Sequence, residues 1–506
     1  MQFKFSKEPL EKIRSDLVLV LCQQKKKDKK DKGTAVLLRG GDGAELDQYL
    51  GGIIGKVIKD EEFRGELGTC KIIYTAGKIP ARAVILMGMG EMNEFTSNVP
   101  RKLGAKVVSV ANEVRAKSLA VTVIMDNIKG VPPALRIQSF VEGVLLGSYK
   151  FEEYKNKEDI EPDTLKEISL GVKSGGKKIE EAVKKGAVLA NGVILARDLI
   201  NTPAHDLTPE DLAKKAKEIA TKGKLGISVL GKKEIEKERL NLLLAVAAGS
   251  KNEPRFIHLS YRPAKKARAK IALVGKGVTF DAGGYNLKPS SGMDHMKNDM
   301  GGGAVVLGLM KVISELKLPI GVDAYIPATD NMVSGSAEVP GNIIMSRSGK
   351  TVEILNTDAE GRLILADAIT YATEKKPDII IDMATLTGHV RYAIGEIYTA
   401  VLGNDQKLID KYIACAKEES EPAWQLPLEK EYKKGLKESL ADINNTGKSK
   451  AGAIIGALFL DEFVGDTKWI HLDIAESAWT DEDKDYTPKG GTGSPLRSVL
   501  RFLSSF

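Results

Sequence analysis

The segment "TVEILNTDAEGRLILADAI" (residues 351–369) places two acids and an arginine between a strand-like run and an apolar helix-like run. "TVEIL" is β-branched and aliphatic, and "RLILADAITYA" is apolar on nearly every side, as a buried helix is. Charges wedged between two buried elements are costly unless a counter-charge or a metal offsets them. Any fold this chain adopts must therefore supply partners for Asp358, Glu360 and Arg362.

The surrounding pattern narrows the fold. The runs "ISVL", "RFIHLSY", "AKIALVG", "GVDAYIP", "TVEIL", "DIIIDMA", "TAVLG" and "WIHLDIA" read as strands, and helical stretches separate most of them. Near-continuous apolar strands alternating with helices predict a doubly wound α/β domain with a mixed, mostly parallel sheet covered on both faces. Ligands of such sheets gather at the carboxyl ends of the strands. We expect this domain over residues 201–506, opening on a helix capped by Thr208, with Pro209 in its first position and Asp211 completing a capping box. Residues 1–160 alternate strand and helix patterns without a catalytic cluster, which predicts a smaller N-terminal α/β domain. Residues 161–200 read as a charged linker followed by a connecting helix.

Composition excludes several classes. No apolar run approaches the roughly 18 residues of a membrane helix, and "MQFKFSKEPLEKIRSDLVLVLC" lacks the pattern of a signal peptide. Three widely spaced cysteines indicate neither a disulfide framework nor a thiolate metal site, and a reduced, cytoplasmic protein is expected. Five histidines without an HExxH pair argue against a histidine-ligated zinc protease. The net charge of +7 is modest for 506 residues. The dense lysine run at 25–32 reads as a solvated loop between strands, with a nucleic-acid contact as the alternative.

Polar residues cluster after three strand-like runs. "IALVGKGVTFDAGGYNLKPSSGMDHMKNDMGGGAVV" carries Lys276, Asp281, Lys288 and Asp299; "NTDAEGR" carries Asp358, Glu360 and Arg362; "DMATLTGHV" is mostly uncharged and suits a pocket wall. Four carboxylates converging at strand ends repel one another unless cations sit among them. Two divalent ions about 3.5–4 Å apart would relieve that repulsion and clamp a hydrolytic transition state. His295, beside these residues, reads as a surface side chain.

"NTDAEGRL", "VGKGVTFDAGGYNLKP" and "MKNDMGG" together closely resemble the leucyl (cytosol) aminopeptidase family of metallopeptidases. "RDLINTPAHDLTPEDLA", "DMATLTG" and "WIHLDIAESAW" extend the resemblance over residues 195–506. The resemblance implies a metal-dependent aminopeptidase that releases N-terminal residues, apolar ones such as leucine preferred, through a water activated between two metal ions. It assigns Lys276, Asp281, Asp299 and Glu360 to the tighter metal site, and Asp281, Asp358 and Glu360 to the more exchangeable one. Lys288 and Arg362 are implied as the two non-ligand catalytic groups, Arg362 with a bicarbonate. Met296, Thr385, Leu386 and Gly388 are implied as pocket residues, with core packing an open alternative for Met296. The ions are expected to be zinc or manganese, with magnesium or cobalt as alternatives. A homohexamer acting on peptides with a free N-terminus, away from membranes, is also implied. Cysteinyl-glycine dipeptidase activity and a DNA-binding regulatory role are the secondary readings. Ala282 and Asn298 depart from the usual family residues at positions that are not ligands.

Overall fold

The computed structural model describes residues 1–26, 30–38, 42–122, 130–171, 176–448 and 450–506. They form two compact units, Met1–Asn191 with Asp483–Pro488, and Gly192–Glu482 with Lys489–Phe506.

The first unit is built on a seven-stranded sheet. Its order is Gln2–Ser6, Glu167–Gly171, Ser118–Thr122, Leu17–Lys25, Ala83–Gly88 and Cys70–Tyr74, with Thr34–Leu37 pairing onto Leu17–Lys25. The helices Asn98–Glu113 and Pro133–Gly147 pack so closely that a Cβ on Gly143 would lie 1.9 Å from the Arg101 carbonyl oxygen, so only glycine fits there. Within the lysine run, Lys27, Asp28 and Lys29 lie outside the described residues. The flanks pair as antiparallel strands with Lys25 opposite Thr34, and Lys26 meets Glu91 at 2.6 Å.

The second unit carries a nine-stranded sheet in the order Ala423–Gln425, Thr399–Gly403, Lys468–Asp473, Ile379–Ala384, Lys270–Gly275, Gly321–Asn331, Arg255–Tyr261 and Gly226–Leu230. The four central strands, Lys468–Asp473 through Gly321–Asn331, run parallel, while Thr399–Gly403 and Arg255–Tyr261 join them antiparallel. Ala272, Val274, Ile380, Ala384 and Trp469 share one core with the helices Glu360–Thr373 and Gly452–Val464. The alternate residues Leu273, Ile381 and Met383 are equally buried on the opposite face. Burial on both faces is why these strands read as continuous apolar runs rather than alternating ones. The capping box at Thr208 and Asp211 forms as the sequence predicts.

One strand lies elsewhere than expected. "TVEIL" does not enter the large sheet: Thr351–Glu353 forms a separate three-stranded sheet, antiparallel to Ile343–Met345 and parallel to Ile443–Asn444. Only three residues pair before the backbone N–H groups of Leu355 and Asn356 turn to Asn445 Oδ1, at 2.9 and 3.3 Å. An added strand, Gly277–Asp281, pairs with the far end of Gly321–Asn331. Lys276 therefore occupies the bend between two strands. Its N–H donates to the Met383 carbonyl at 3.0 Å, and its carbonyl accepts from Gly303 N–H at 2.8 Å.

Candidate metal centre

The bend at Lys276 sends its side chain inward, where it is 2% exposed. Nζ lies 2.7 Å from both Asp299 Oδ1 and Oδ2, 2.7 Å from Glu360 Oε1 and 2.8 Å from the Thr385 carbonyl oxygen. Asp299 is the penultimate residue of the 3-10 helix Met293–Met300, which runs directly into the helix Gly301–Leu316, and Glu360 opens the helix Glu360–Thr373. The ammonium passes directly over Gly361, where a Cβ would lie 2.8 Å from Nζ and 2.7 Å from Cε. A larger residue in place of the glycine of "AEGR" would push the end of the lysine side chain off its partners.

A second ammonium stands beside the first. Lys288 Nζ lies 2.8 Å from Asp281 Oδ2 and 2.6 Å from Asp358 Oδ1, with a fifth of its side chain exposed. Asp281, the last residue of its strand, is fixed through Oδ1, which accepts from Asn331 Nδ2 at 2.8 Å and from Gly283 N–H at 2.9 Å. Asp281, Asp358 and Glu360 offer carboxylate oxygens that all lie within 4.8 Å of one another. Arg362, buried in the first turn of its helix, donates from Nη1 to the Asn445 carbonyl at 2.7 Å.

Four carboxylates thus face two ammonium groups in a nearly dry site. Burial works against charge on Lys276 and Lys288, but the surrounding acids outweigh it and raise both. Burial raises Asp299 and Asp358, and it lifts Asp281 to about 6, with the neighbouring Glu360 charge adding to the rise. Glu360 moves the other way: burial opposes its ionisation, yet Lys276 and Lys288 hold it below its ordinary value. Burial lowers Arg362 to about 10, which leaves the guanidinium charged at neutral pH. Asp299 Oδ2 and Asp358 Oδ1 are buried and face ammonium groups without an aligned hydrogen bond. A cation needs no such alignment, so the donor set fits hard divalent ions with oxygen ligands.

Lys276, Asp281, Lys288, Asp299, Asp358 and Glu360 come together in this one cluster. Thr385 joins it through its hydroxyl, which donates to Asp299 Oδ1 at 2.7 Å, as well as through its carbonyl. Leu386 is half-buried, Gly388 is exposed and Met296 is half-buried on the 3-10 helix. His295 stands partly exposed against Trp479. Sequence reasoning missed Asn331 and Asn445, which orient Asp281 and Arg362. Asn331 ends a strand in "PATDN" and Asn445 lies in "ADINNTG", polar stretches that were usable signals.

Known proteins resemble this chain over its whole length. The family model for the cytosol aminopeptidase catalytic domain matches residues 194–500, and that for the N-terminal domain of the same family matches residues 20–158. A probable cytosol aminopeptidase of Alkaliphilus oremlandii (strain OhILAs) is 40% identical over 508 residues, covering 100% of this chain and 99% of that protein. One from Geobacter sp. (strain M21) is 41% identical over 460 residues, covering 91% and 93%. Among solved structures, a tomato leucine aminopeptidase mutant aligns with a TM-score of 0.88 at 31% identity, covering 100% of this chain and 97% of its own. The bottromycin maturation enzyme BotP in complex with Mn aligns with a TM-score of 0.84 at 30% identity, covering 97% and 99%. These relatives lend no support to the dipeptidase or DNA-binding readings. No described helix is long and apolar enough to cross a membrane.

The excess of buried acid has a measurable consequence. In metal-stripped protein the Asp281 carboxyl titrates near 6, above its ordinary 3.8. The folded chain then holds that proton more tightly than the unfolded chain, so the contribution to stability is present below about pH 4 and is lost as pH rises through about 6. Chelator-treated protein should have a lower urea midpoint at about pH 7 than at about pH 5 from this group, and Asp281→Asn should shrink the difference. An unchanged pH difference in Asp281→Asn would contradict the electrostatic reading.

Proposed function

The chain belongs to the cytosol aminopeptidase family and is a metal-dependent aminopeptidase, and from that premise we propose how its site divides the work. Lys276, Asp281, Asp299 and Glu360 would hold a tighter divalent ion, and Asp281, Asp358 and Glu360 a more exchangeable one. The observation that carries this reading is the crowding of three buried carboxylates and the partly exposed Asp358 against two ammonium groups. Zinc or manganese is the expected pair, manganese being supported by the Mn complex of the neighbour BotP. When bound, two such ions supply Lewis acidity and lower the pKa of a water between them.

The protein's own groups do the rest. Lys288, charged and partly exposed between Asp281 and Asp358, would donate to the oxyanion of a tetrahedral intermediate. Arg362 keeps its charge and can grip a carboxylate-shaped anion such as bicarbonate with two parallel hydrogen bonds. Its Nε is buried without a partner, which leaves a donor for such an anion. Thr385, Leu386, Gly388 and Met296 are proposed to wall the pocket for an apolar N-terminal side chain such as leucine. We also propose a homohexamer working in the cytoplasm. The exposed apolar side chains Tyr392, Ile397, Trp424 and Leu440 offer surface for subunit association, and the three cysteines are unpaired.

Two results test this reading. Metal-stripped protein with each metal restored in turn should cleave leucine amide, while an N-acetylated leucine peptide should be a very poor substrate. Comparable rates on blocked and free substrates would point to another hydrolase class. Lys288→Ala should lower kcat by about 10²–10³-fold, the usual loss for one oxyanion donor, with metal content unchanged by elemental analysis. A parallel fall of metal and rate would assign Lys288 to holding the ions instead.

A further inference from the structure

Trp469, His471 and Asp473 alternate along one strand and so share one face of the sheet. All three are fully buried. Asp382, opposite His471 on the neighbouring strand, receives the Trp469 indole N–H on Oδ2 at 2.6 Å and the His471 Nδ1–H on Oδ1 at 2.6 Å. Burial disfavours the charged imidazole, but Asp382 outweighs it and raises His471. His471 and the Arg362 guanidinium both interact electrostatically with Asp473.

The Asp473 carboxylate is spent almost wholly on one turn. Oδ1 accepts from Leu386 N–H at 3.1 Å and Thr387 N–H at 3.4 Å, and also from Ala475 N–H at 3.2 Å. Oδ2 accepts from the Thr387 hydroxyl at 2.8 Å. The turn begins at Thr385, whose carbonyl holds Lys276 Nζ and whose hydroxyl holds Asp299. A displacement at Thr387 therefore passes through two residues to the lysine and the acid of the cluster. Packing alone would be served by an apolar side chain at 473, at less cost than a fully buried carboxylate.

We propose that Asp473 is a positioning residue for the reaction, fixing the 385–387 turn so that Thr385 holds Lys276 and Asp299 in their working geometry. This rests on the placement of Lys276 and Asp299 in the metal site proposed above. Groups that orient metal ligands typically change affinity or activity by about 10–100-fold when removed.

The test uses the full-length, metal-loaded enzyme with Asp473→Asn, Thr387→Val, Thr387→Ser, the Asp473→Asn/Thr387→Val double variant and, as a reference, Asp299→Asn. Each is assayed for kcat/KM on leucine amide and for metal retained after dialysis against graded chelator. Asp473→Asn should lose about 10–100-fold in kcat/KM and in metal affinity, and Thr387→Val about 10-fold. Thr387→Ser keeps the hydroxyl and should stay within about twofold of the parent. The double variant should fall no more than about twofold below Asp473→Asn, because both changes break one linkage. If Asp473→Asn and Thr387→Val only lower the melting temperature, or if their effects multiply, Asp473 is a fold residue and the inference is overturned. If Asp299→Asn retains parental metal affinity, the assignment of Asp299 fails and this inference fails with it.

Discussion

The structure depends on one buried ammonium. Lys276 stands at a bend between two strands, and its Nζ draws together Asp299 from one helix entry, Glu360 from another and the carbonyl of Thr385 from a third segment. None of these groups could be buried alone, since an isolated charge in a dry interior costs several kcal/mol or more. Around the lysine the backbone comes unusually close: a Cβ on Gly302 would lie 2.0 Å from the Met383 carbonyl oxygen, and one on Gly361 would overlap the lysine itself. Gly302 of "MGGG" and Gly361 of "AEGR" thus follow from the need to bring three strand ends and two helix entries to one point.

That arrangement is electrostatically incomplete without further positive charge. Asp281 and Asp358 are met by Lys288, yet Asp281, Asp299 and Asp358 all remain raised, the response of carboxylates crowded in a poorly solvated place. Family membership supplies the chemistry that the charge deficit requires, a metal-dependent hydrolase of peptides. The Asp382, His471 and Asp473 group behind the site extends the same logic, with a second set of buried charges holding the turn that holds the first.

The acids, the two lysines and Arg362 were legible because they gather in three polar, glycine-containing segments that follow strand-like runs, a pattern that ordinary core packing does not produce. The parallel centre of the large sheet was legible from its unbroken apolar runs. The place of "TVEIL" was not, because a short apolar run carries no information about which sheet it joins, and the side chain of Asn445 that ends it lies about 90 residues on. Which groups Asn331, Asn445 and Asp473 hold was hidden for a similar reason, polar though their segments are: their hydrogen-bond partners lie 50, 83 and 86 residues away in the sequence.

The central claim is that Lys276 binds metal, which an ammonium cannot do because it has no lone pair. It must therefore lose its proton as metal enters, and tight-site affinity must weaken as pH falls. Arginine at this position would keep a charge that cannot be shed, whereas methionine brings no charge to oppose the ion. Elemental analysis of Lys276→Arg, Lys276→Met and the parent across roughly pH 6 to pH 9 reads this directly. The account predicts a folded arginine variant without the tighter ion and a methionine variant with weakened, less pH-dependent binding. Full tight-site occupancy in the arginine variant would contradict it.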